Sequence, residues 1–207
     1  MGVYRERVFP RLMNRLMDTA ERRAIRTRVC APLTGEVVEI GFGTGLNLVH
    51  LPPSVSVIRA VEPLGLGVAL AAGRRVASPV PVEVSGLDGE ALPFEDGSAD
   101  AVLSTWTLCS IPDAVAAVRE IRRVLRPGAA LHFVEHGRAP DKGVRRWQDR
   151  LNPIQQRVAC GCNLNRDIPA LLAAGGMRVE RLSTYYAKRE PKVFGATYEG
   201  TAVAAEA

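Results

Sequence analysis

A short apolar run leads directly into three glycines at alternate positions, Gly41, Gly43 and Gly45. The run Glu36–Ile40 is typical of a buried strand, and glycines after a strand allow positive φ angles and close approach of the backbone to a ligand. We expect a helix over Gly45–Leu51, whose first N–H groups would face a carboxylate or a phosphate. A glycine-rich turn alone is a weak signal, so its meaning depends on the elements that follow it.

Apolar runs alternate with amphipathic helices after Pro32. This alternation predicts an α/β fold with a parallel sheet, helices on both faces, and a ligand site at the carboxyl ends of the strands. Two consecutive strand-like runs near the end predict a closing antiparallel hairpin. The predicted strands are Glu36–Ile40, Val55–Val61, Val80–Val84, Ala101–Thr105, Ala129–Glu135, Arg178–Tyr186 and Val193–Val203. The predicted helices are Gly45–Leu51, Leu66–Val76, Asp113–Leu125, Val144–Arg157 and Arg166–Ala174, the last with Asn165 as its N-cap.

Residues 1–33 form a predicted helical segment that precedes an α/β domain of residues 34–207. Pro10 suits a first helical turn, and Leu12 and Leu16 follow at helical spacing, while the arginines fall largely on other faces. Such a helix can pack flat on the domain or cover an active site as a lid, and the sequence leaves both alternatives open.

The composition is that of an ordinary globular protein: 207 residues, 47% hydrophobic and 24% charged. The four cysteines contain no CxxC pair, which argues against a disulfide framework or a zinc site, so we expect no metal. The net charge of +5 comes from scattered arginines, and we expect no nucleic-acid partner. We find neither a membrane-spanning run nor a signal peptide and expect a cytoplasmic protein.

An acidic residue, Glu62, ends the second predicted strand, 21 residues after Gly41. A carboxylate at this place can accept hydrogen bonds from both ribose hydroxyls of an adenosine. The glycine spacing differs from the dinucleotide fingerprint, whose third glycine comes one position later. In the loop after the third predicted strand, the carboxylate of Asp88 can accept a hydrogen bond from the exocyclic amine of adenine. The pattern indicates an adenosine-containing ligand.

Four segments resemble successive motifs of the class I S-adenosylmethionine-dependent methyltransferases, in that family's order, over roughly residues 34 to 140. They are Glu39–Gly45, Val61-Glu62-Pro63, Asp88–Phe94 and Arg123–Gly128. The resemblance implies a Rossmann-like, seven-stranded, mostly parallel sheet with an antiparallel last strand. It also implies S-adenosylmethionine as the cofactor.

The same resemblance implies how the cofactor is held. The glycine turn with Glu39 would hold the methionine end, Glu62 the ribose, and Asp88 with Gly89 the adenine, while Thr105 or Trp106 would line the sulfonium. The predicted cofactor-binding residues are Glu39, Gly41, Gly43, Gly45, Asn47, Glu62, Pro63, Asp88, Gly89, Thr105 and Trp106.

Methyl transfer from a sulfonium requires the enzyme to align and desolvate the nucleophile, and a thiol or phenol must also lose its proton. Glu135 and His136 close the fifth predicted strand. We predict His136 as the catalytic residue, a base or an acceptor contact; a structural histidine is the alternative. Trp147, Tyr185 and Tyr186 could form an apolar acceptor pocket or belong to the core. Cys160 and Cys162 lack metal-ligand spacing and are interpreted as loop-packing residues.

Three segments on the acceptor side resemble a narrower branch, the methyltransferase-like proteins that include eukaryotic thiol S-methyltransferases. They are Ser104–Ile111, Phe133–His136 and Gly161–Arg166. The branch implies a small lipophilic thiol as acceptor. The chain departs from that branch in that we expect no N-terminal membrane-anchoring segment, and therefore no stable membrane insertion.

We therefore predict an S-adenosylmethionine-dependent methyltransferase with a small-molecule acceptor, a thiol in the first instance. An O-methyltransferase of a phenol or a quinol-type metabolite is the alternative. A nicotinamide-dependent oxidoreductase is disfavoured because no Tyr-x-x-x-Lys constellation occurs. A macromolecule methyltransferase is disfavoured because no Asn-Pro-Pro-Tyr signature follows the fourth predicted strand.

Overall fold

The computed structural model describes residues 2–85, 89–188 and 190–205. Its strands are β1 Gly35–Ile40, β2 Val55–Val61, β3 Val82–Val84, β4 Ala99–Thr105, β5 Leu125–His136, β6 Met177–Tyr186 and β7 Ala196–Ala204. The helices are α1 Phe9–Leu16, α2 Ala20–Cys30, α3 Gly65–Leu70, α4 Ala72–Ala77, α5 Ala114–Val124, α6 Lys142–Val158, α7 Ile168–Ala174 and α8 Lys192–Gly195. A π-helical turn, Tyr4–Val8, precedes α1, and a 3₁₀ turn, Leu48–His50, follows β1.

The seven strands form one sheet in the order β3-β2-β1-β4-β5-β7-β6. Strands β1 to β5 pair in parallel, whereas β7 is antiparallel to both β5 and β6. This confirms the predicted fold class and the antiparallel last strand. The strand order reverses between β1 and β4, and at such a switch point a crevice opens beyond the carboxyl ends of the strands.

Successive residues of the central strands point to opposite faces of the sheet, each covered by helices. Val38 packs in the cluster under α5 and α7, while its neighbour Val37 packs in the cluster under α2. Phe133 and Val134 of β5 divide in the same way. Strands buried on both faces explain the near-continuous apolar runs in the sequence.

Several predicted helices are shorter or divided. The N-terminal helix breaks after Leu16, and α2 restarts at Ala20 with Thr19 accepting a hydrogen bond from the Arg22 N–H at 3.3 Å. The predicted helix Gly45–Leu51 is wrong, because Gly45 has a φ of +72° and only the 3₁₀ turn follows it. The predicted helix Leu66–Val76 divides at Ala71 into α3 and α4.

The C-terminal predictions need two corrections. Asp167, not Asn165, caps α7, because its carboxylate accepts the Ala170 N–H at 3.1 Å while Asn165 donates to Asp149. The last strand begins at Ala196, since residues 192–195 form the short helix α8. Within the part of the chain described, none of the helices has the length and apolar character needed to cross a bilayer.

Candidate active site

A cavity of about 730 Å³ opens at the carboxyl ends of β1, β2, β4 and β5. The N-terminal segment forms one wall through Phe9, Met13 and Met17. The predicted site residues that line the cavity are Gly41, Gly43, Glu62, Pro63, Gly89, Thr105, Trp106 and His136. Glu39, Gly45 and Asn47 lie outside its lining, and Asp88 lies outside the described residues.

The glycine turn makes two close approaches that exclude side chains. Gly41 has a φ of +71°, and a Cβ atom there would lie 2.1 Å from Thr107 Oγ1. A Cβ atom on Gly67 of α3 would lie 2.9 Å from the carbonyl oxygen of Gly43. The turn is therefore held between α3 and the loop after β4, and its backbone faces the cavity.

Glu62 joins the end of β2 to the glycine turn. Its Oε2 accepts the Gly43 N–H at 2.8 Å and its Oε1 accepts the Leu64 N–H at 2.9 Å. Burial raises the pKa of this carboxyl, and the two backbone hydrogen bonds oppose that rise. Each carboxylate oxygen can accept a second hydrogen bond, so Glu62 can still accept hydrogen bonds from the hydroxyl groups of a ligand in the cavity.

Glu39 lies beneath the cavity in a buried polar network. Its Oε1 accepts Asn47 Nδ2 at 2.7 Å, and the same amide nitrogen lies 3.0 Å from Thr105 Oγ1. Burial raises the pKa of Glu39 to about 7, and the charge of Arg26 opposes that rise. Glu39 Oε2 has no hydrogen-bond partner among the described residues. Glu39 and Asn47 thus support the site from below.

Arg26 of α2 is a lining residue that the sequence analysis missed. Its Nη1 donates to Asn47 Oδ1 at 2.6 Å and to Thr105 Oγ1 at 3.0 Å, and its guanidinium lies 4.9 Å from the centre of the Trp106 ring. Burial lowers its pKa to about 10, so it remains a cation at neutral pH. The available signal was its place beside Ile25 on the buried face of α2.

Trp106 adopts a left-handed backbone conformation, with a φ of +54°. Its N–H donates to the Val134 carbonyl at 2.7 Å, which helps to hold this unfavourable conformation. The Trp106 and His136 rings lie 6.3 Å apart in a tilted arrangement. These two side chains form the wall of the cavity beyond β4 and β5.

Two sulfur atoms lie beside His136. Cys162 Sγ is 3.9 Å from His136 Nδ1 and 3.7 Å from Cys109 Sγ. The hydrogen bond between the two cysteines lowers the pKa of Cys162, and that same bond, together with burial, raises the pKa of Cys109. Cys162 and His136 line the cavity, whereas Cys109 is buried behind them.

A buried carboxylate fixes the loop that carries Cys109. Glu135 accepts the Ser104 hydroxyl at 2.7 Å and the backbone N–H groups of Thr107, Leu108 and Cys109 at 3.0–3.1 Å. Burial raises the pKa of Glu135 above its usual value, and these four hydrogen bonds oppose that rise. The sequence analysis noted Glu135 only as the residue before His136.

The aromatic residues proposed for an acceptor pocket lie elsewhere. Trp147 is 57% exposed on α6, the Tyr185 hydroxyl donates to Glu199, and the Tyr186 hydroxyl donates to Asp141. None of the three lines the cavity. Its apolar wall comes instead from residues of the N-terminal segment and from Leu164 and Phe194.

The sequence matches the methyltransferase domain family over residues 38–133. Human thiol S-methyltransferase TMT1B is 32% identical over 175 residues, which cover 77% of this chain and 70% of that protein. The demethylmenaquinone methyltransferase of Roseiflexus castenholzii is 35% identical over 175 residues, covering 75% of this chain and 71% of that protein. A SAM-dependent methyltransferase structure from Thermotoga maritima matches with a TM-score of 0.66 at 21% identity, covering 97% and 99% of the two chains.

The chain therefore belongs to the S-adenosylmethionine-dependent methyltransferases. It is an enzyme with S-adenosylmethionine as its methyl donor, as the four motifs predict. This assignment removes the nicotinamide-dependent oxidoreductase from the alternatives.

Proposed function

We propose that this enzyme transfers the methyl group of S-adenosylmethionine to a small apolar thiol. A single cavity carries the proposal: it runs from the glycine turn to His136, and its lining includes the apolar side chains of Leu164 and Phe194. The similarity to human thiol S-methyltransferase TMT1B supports a thiol as the acceptor. A phenol or quinol-type acceptor is the second candidate, favoured by the similarity to a demethylmenaquinone methyltransferase.

The residues present fit the methionine end of the cofactor, which carries an ammonium and a carboxylate. Arg26 brings a buried cation to the cavity wall. Glu39 lies in the polar network below the cavity, and its Oε2 has no hydrogen-bond partner among the described residues. Arg26 would bind the carboxylate, and the buried carboxyl of Glu39 would stabilise the ammonium. A buried polar group without a partner is costly, which favours its pairing with a ligand.

The adenosine would lie between the glycine turn and the loop after β3. Glu62 would accept the ribose hydroxyls, with Pro63 beside it, and the backbone of Gly89 would face the adenine. A Cβ atom on Gly89 would lie 3.1–3.2 Å from Ile111 and Ile40, so the backbone there is tightly packed against the cavity floor. We also propose Asp88 as an adenine contact, on the motif alone.

The bound cofactor supplies a methyl group already activated by its sulfonium, so this chain needs to orient and dehydrate the acceptor. Trp106 and the apolar walls would exclude water from the acceptor's nucleophilic atom. His136 lies where that atom must approach, and its imidazole would accept or direct the thiol proton. Glu135 would hold the loop of residues 107–109 in a fixed position relative to His136.

The N-terminal segment, residues 1–33, is proposed as a lid on this cavity. Phe9, Met13 and Met17 line the cavity, yet Pro10 is the only residue of α1, a helix described throughout its length, that is buried. A helix with so little buried surface can open at low cost. Hydrogen exchange in α1 should slow on addition of S-adenosylhomocysteine, and unchanged exchange would contradict the lid.

A panel of thiols, phenols and quinols of matched size, offered with methyl-labelled S-adenosylmethionine, tests the acceptor class. We expect labelled product on thiols. Product confined to phenols or quinols would establish the second candidate, and the absence of product on every acceptor would overturn both.

We further propose a cytoplasmic protein without a nucleic-acid partner, supported by the scattered arginines. RNA binding that weakens steeply with added salt would contradict the second part. Fractionation with membranes would contradict the first.

A further inference from the structure

Three metal-binding side chains meet at the acceptor end of the cavity. The ligand atoms of Cys109, His136 and Cys162 all lie within 4.8 Å of one another. Cys109 follows β4, His136 ends β5, and Cys162 lies in the loop between α6 and α7. Because the two cysteines are 53 residues apart, no local spacing in the sequence reveals the cluster.

Two of the distances within the cluster are close to those around a tetrahedral zinc ion. Zn–S bonds of about 2.3 Å at a tetrahedral angle place two sulfurs about 3.8 Å apart, and a Zn–N bond of about 2.0 Å places nitrogen about 3.5 Å from sulfur. The observed Cys109–Cys162 sulfur distance is 3.7 Å, and Cys162 Sγ lies 3.9 Å from His136 Nδ1. Small side-chain rotations would complete the geometry.

The backbone around the cluster is fixed in advance by hydrogen bonds between the two cysteine loops. Asn163 donates to the Cys109 carbonyl through its N–H at 2.9 Å and its Nδ2 at 3.0 Å. Arg166 Nη1 donates to the carbonyls of Leu108 and Ile111. Glu135 holds the Cys109 N–H from the other side. Outer groups of this kind orient the ligands of functional metal sites.

We propose that Cys109, His136 and Cys162 bind a Zn²⁺ ion whose fourth coordination position faces the cavity. Three protein ligands with an open position are typical of catalytic zinc, and the Cys₂His donor set is one of those used. The opening faces the cavity because His136 and Cys162 line it, while Cys109 is buried behind them.

Resting on the proposed thiol acceptor, the zinc ion specifies how the thiol is activated. The acceptor R–SH binds through sulfur at the open position and releases its proton to cavity water. The bound sulfur then forms the new S–CH₃ bond with one of its electron pairs. The methyl–sulfonium bond breaks, and its electron pair stays on the donor sulfur, giving a thioether and neutral S-adenosylhomocysteine. His136 would then act through the metal and not as a free base.

Metal binding itself provides the first test. The full chain is stripped with a chelator under reducing conditions, titrated with Zn²⁺ against a chromophoric competitor, and examined by absorption spectroscopy with Co²⁺. We expect one metal per chain, tetrahedral Co²⁺ bands and a sulfur-to-cobalt charge-transfer band. Cys109→Ser, Cys162→Ser and His136→Asn should each weaken Zn²⁺ binding by about 100-fold or more, since each removes a direct ligand.

Cys160→Ser is the matched control, because Cys160 lies two residues from Cys162 but outside the cluster. It should bind Zn²⁺ like the wild type. S-adenosylhomocysteine affinity, measured for every variant, shows that each one is folded. A wild type without stoichiometric Zn²⁺, equal loss in Cys160→Ser, or a Cys109–Cys162 disulfide in the freshly purified protein would overturn the site.

Activity separates this inference from the proposed function. Thiol methylation by the zinc-free protein at the rate of the zinc-loaded one would overturn the role of the metal and leave the proposed function intact. Stoichiometric Zn²⁺ without methylation of any thiol would overturn the thiol acceptor, and with it the use of the fourth position, while the metal site would stand.

Discussion

The two ends of the cavity are constructed in different ways. The proposed cofactor end is made from residues directly after β1 and β2, where the Glu62 carboxylate accepts backbone hydrogen bonds from Gly43 and Leu64. The proposed acceptor end brings together side chains from the loop after β4, from β5 and from the loop between α6 and α7. The first end depends on local backbone geometry, whereas the second depends on the tertiary fold. A change of acceptor specificity can therefore leave the cofactor end untouched.

The largest effect is expected from a side chain that occupies the cofactor end of the cavity, and a control variant accounts for backbone strain. In Gly43→Val the new Cβ atom would meet, among the described residues, only the Gly41 carbonyl oxygen within 4 Å, and the side chain would project into the cavity. We expect S-adenosylhomocysteine affinity to fall by about 1000-fold, equivalent to ~4 kcal/mol. Calorimetric titration measures it.

Gly97→Val is the matched control, since Gly97 lies away from the cavity and has a φ of +61°. A Cβ atom on Gly97 would have no atom of the described residues within 4 Å. Both variants should lose roughly 1–2 kcal/mol of stability from the left-handed backbone. Equal cofactor affinities in the two variants would show that Gly43 does not face the cofactor.

The next effect concerns the buried carboxyl beneath the cofactor end. Because the pKa of Glu39 is raised from 4.5 to about 7, the folded state favours its protonated form. Its contribution to stability is complete below pH 4.5 and is lost as the pH rises toward 7. Relative to the wild type, Glu39→Gln should gain at most about 3 kcal/mol of unfolding free energy across this window. Chemical denaturation at several pH values measures the difference, and a difference independent of pH would contradict a raised pKa.

At the acceptor end, His136→Asn should lower kcat/KM for the thiol by about 100-fold, whether the imidazole binds a proton or a metal. The Kd of S-adenosylhomocysteine should change by less than about twofold, since His136 closes β5 and not the glycine turn. Steady-state kinetics and calorimetry give the two values. A parallel loss of both would contradict the separation of the two ends.

The smallest effect is expected outside the cavity. Trp147→Ser removes an exposed side chain of α6 that stacks on Arg150, so stability should change by less than about 0.5 kcal/mol. Turnover of the thiol should also be unchanged. A clear rise in the thiol KM would return Trp147 to the acceptor pocket that its sequence position suggested.

The cofactor end was largely predictable because its signals are local. The strand–glycine–acid order placed Gly41, Gly43 and Glu62 at one sheet edge, and the structure brings all three to the cavity. The helix expected after Gly45 did not form because Gly45 adopts a positive φ, which helix propensity does not predict. Glu39 and Asn47 were identified, but their position below the cavity depends on the fold.

At the proposed acceptor end, the sequence placed His136 near the cavity because this residue ends a recognisable strand, and its catalytic role stays a prediction. Arg26, at the proposed cofactor end, was missed because it lies far from the motifs in sequence, and its burial follows from the packing of α2 on the sheet. Cys109 and Cys162 meet because Asn163 and Arg166 join two loops. No periodic pattern in the sequence indicates such a contact. The expectation of no metal therefore depended on local cysteine spacing alone.

We propose that Glu62 and the glycine turn hold the cofactor at the carboxyl ends of the strands. Calorimetric titration of S-adenosylhomocysteine into the wild type, Glu62→Ala and the exposed control Glu95→Ala tests it most directly. We predict one site per chain in the wild type and the control. Affinity in Glu62→Ala should be lower by about 100-fold, because charge-assisted hydrogen bonds to the ribose are lost. Unchanged affinity in Glu62→Ala would contradict the account.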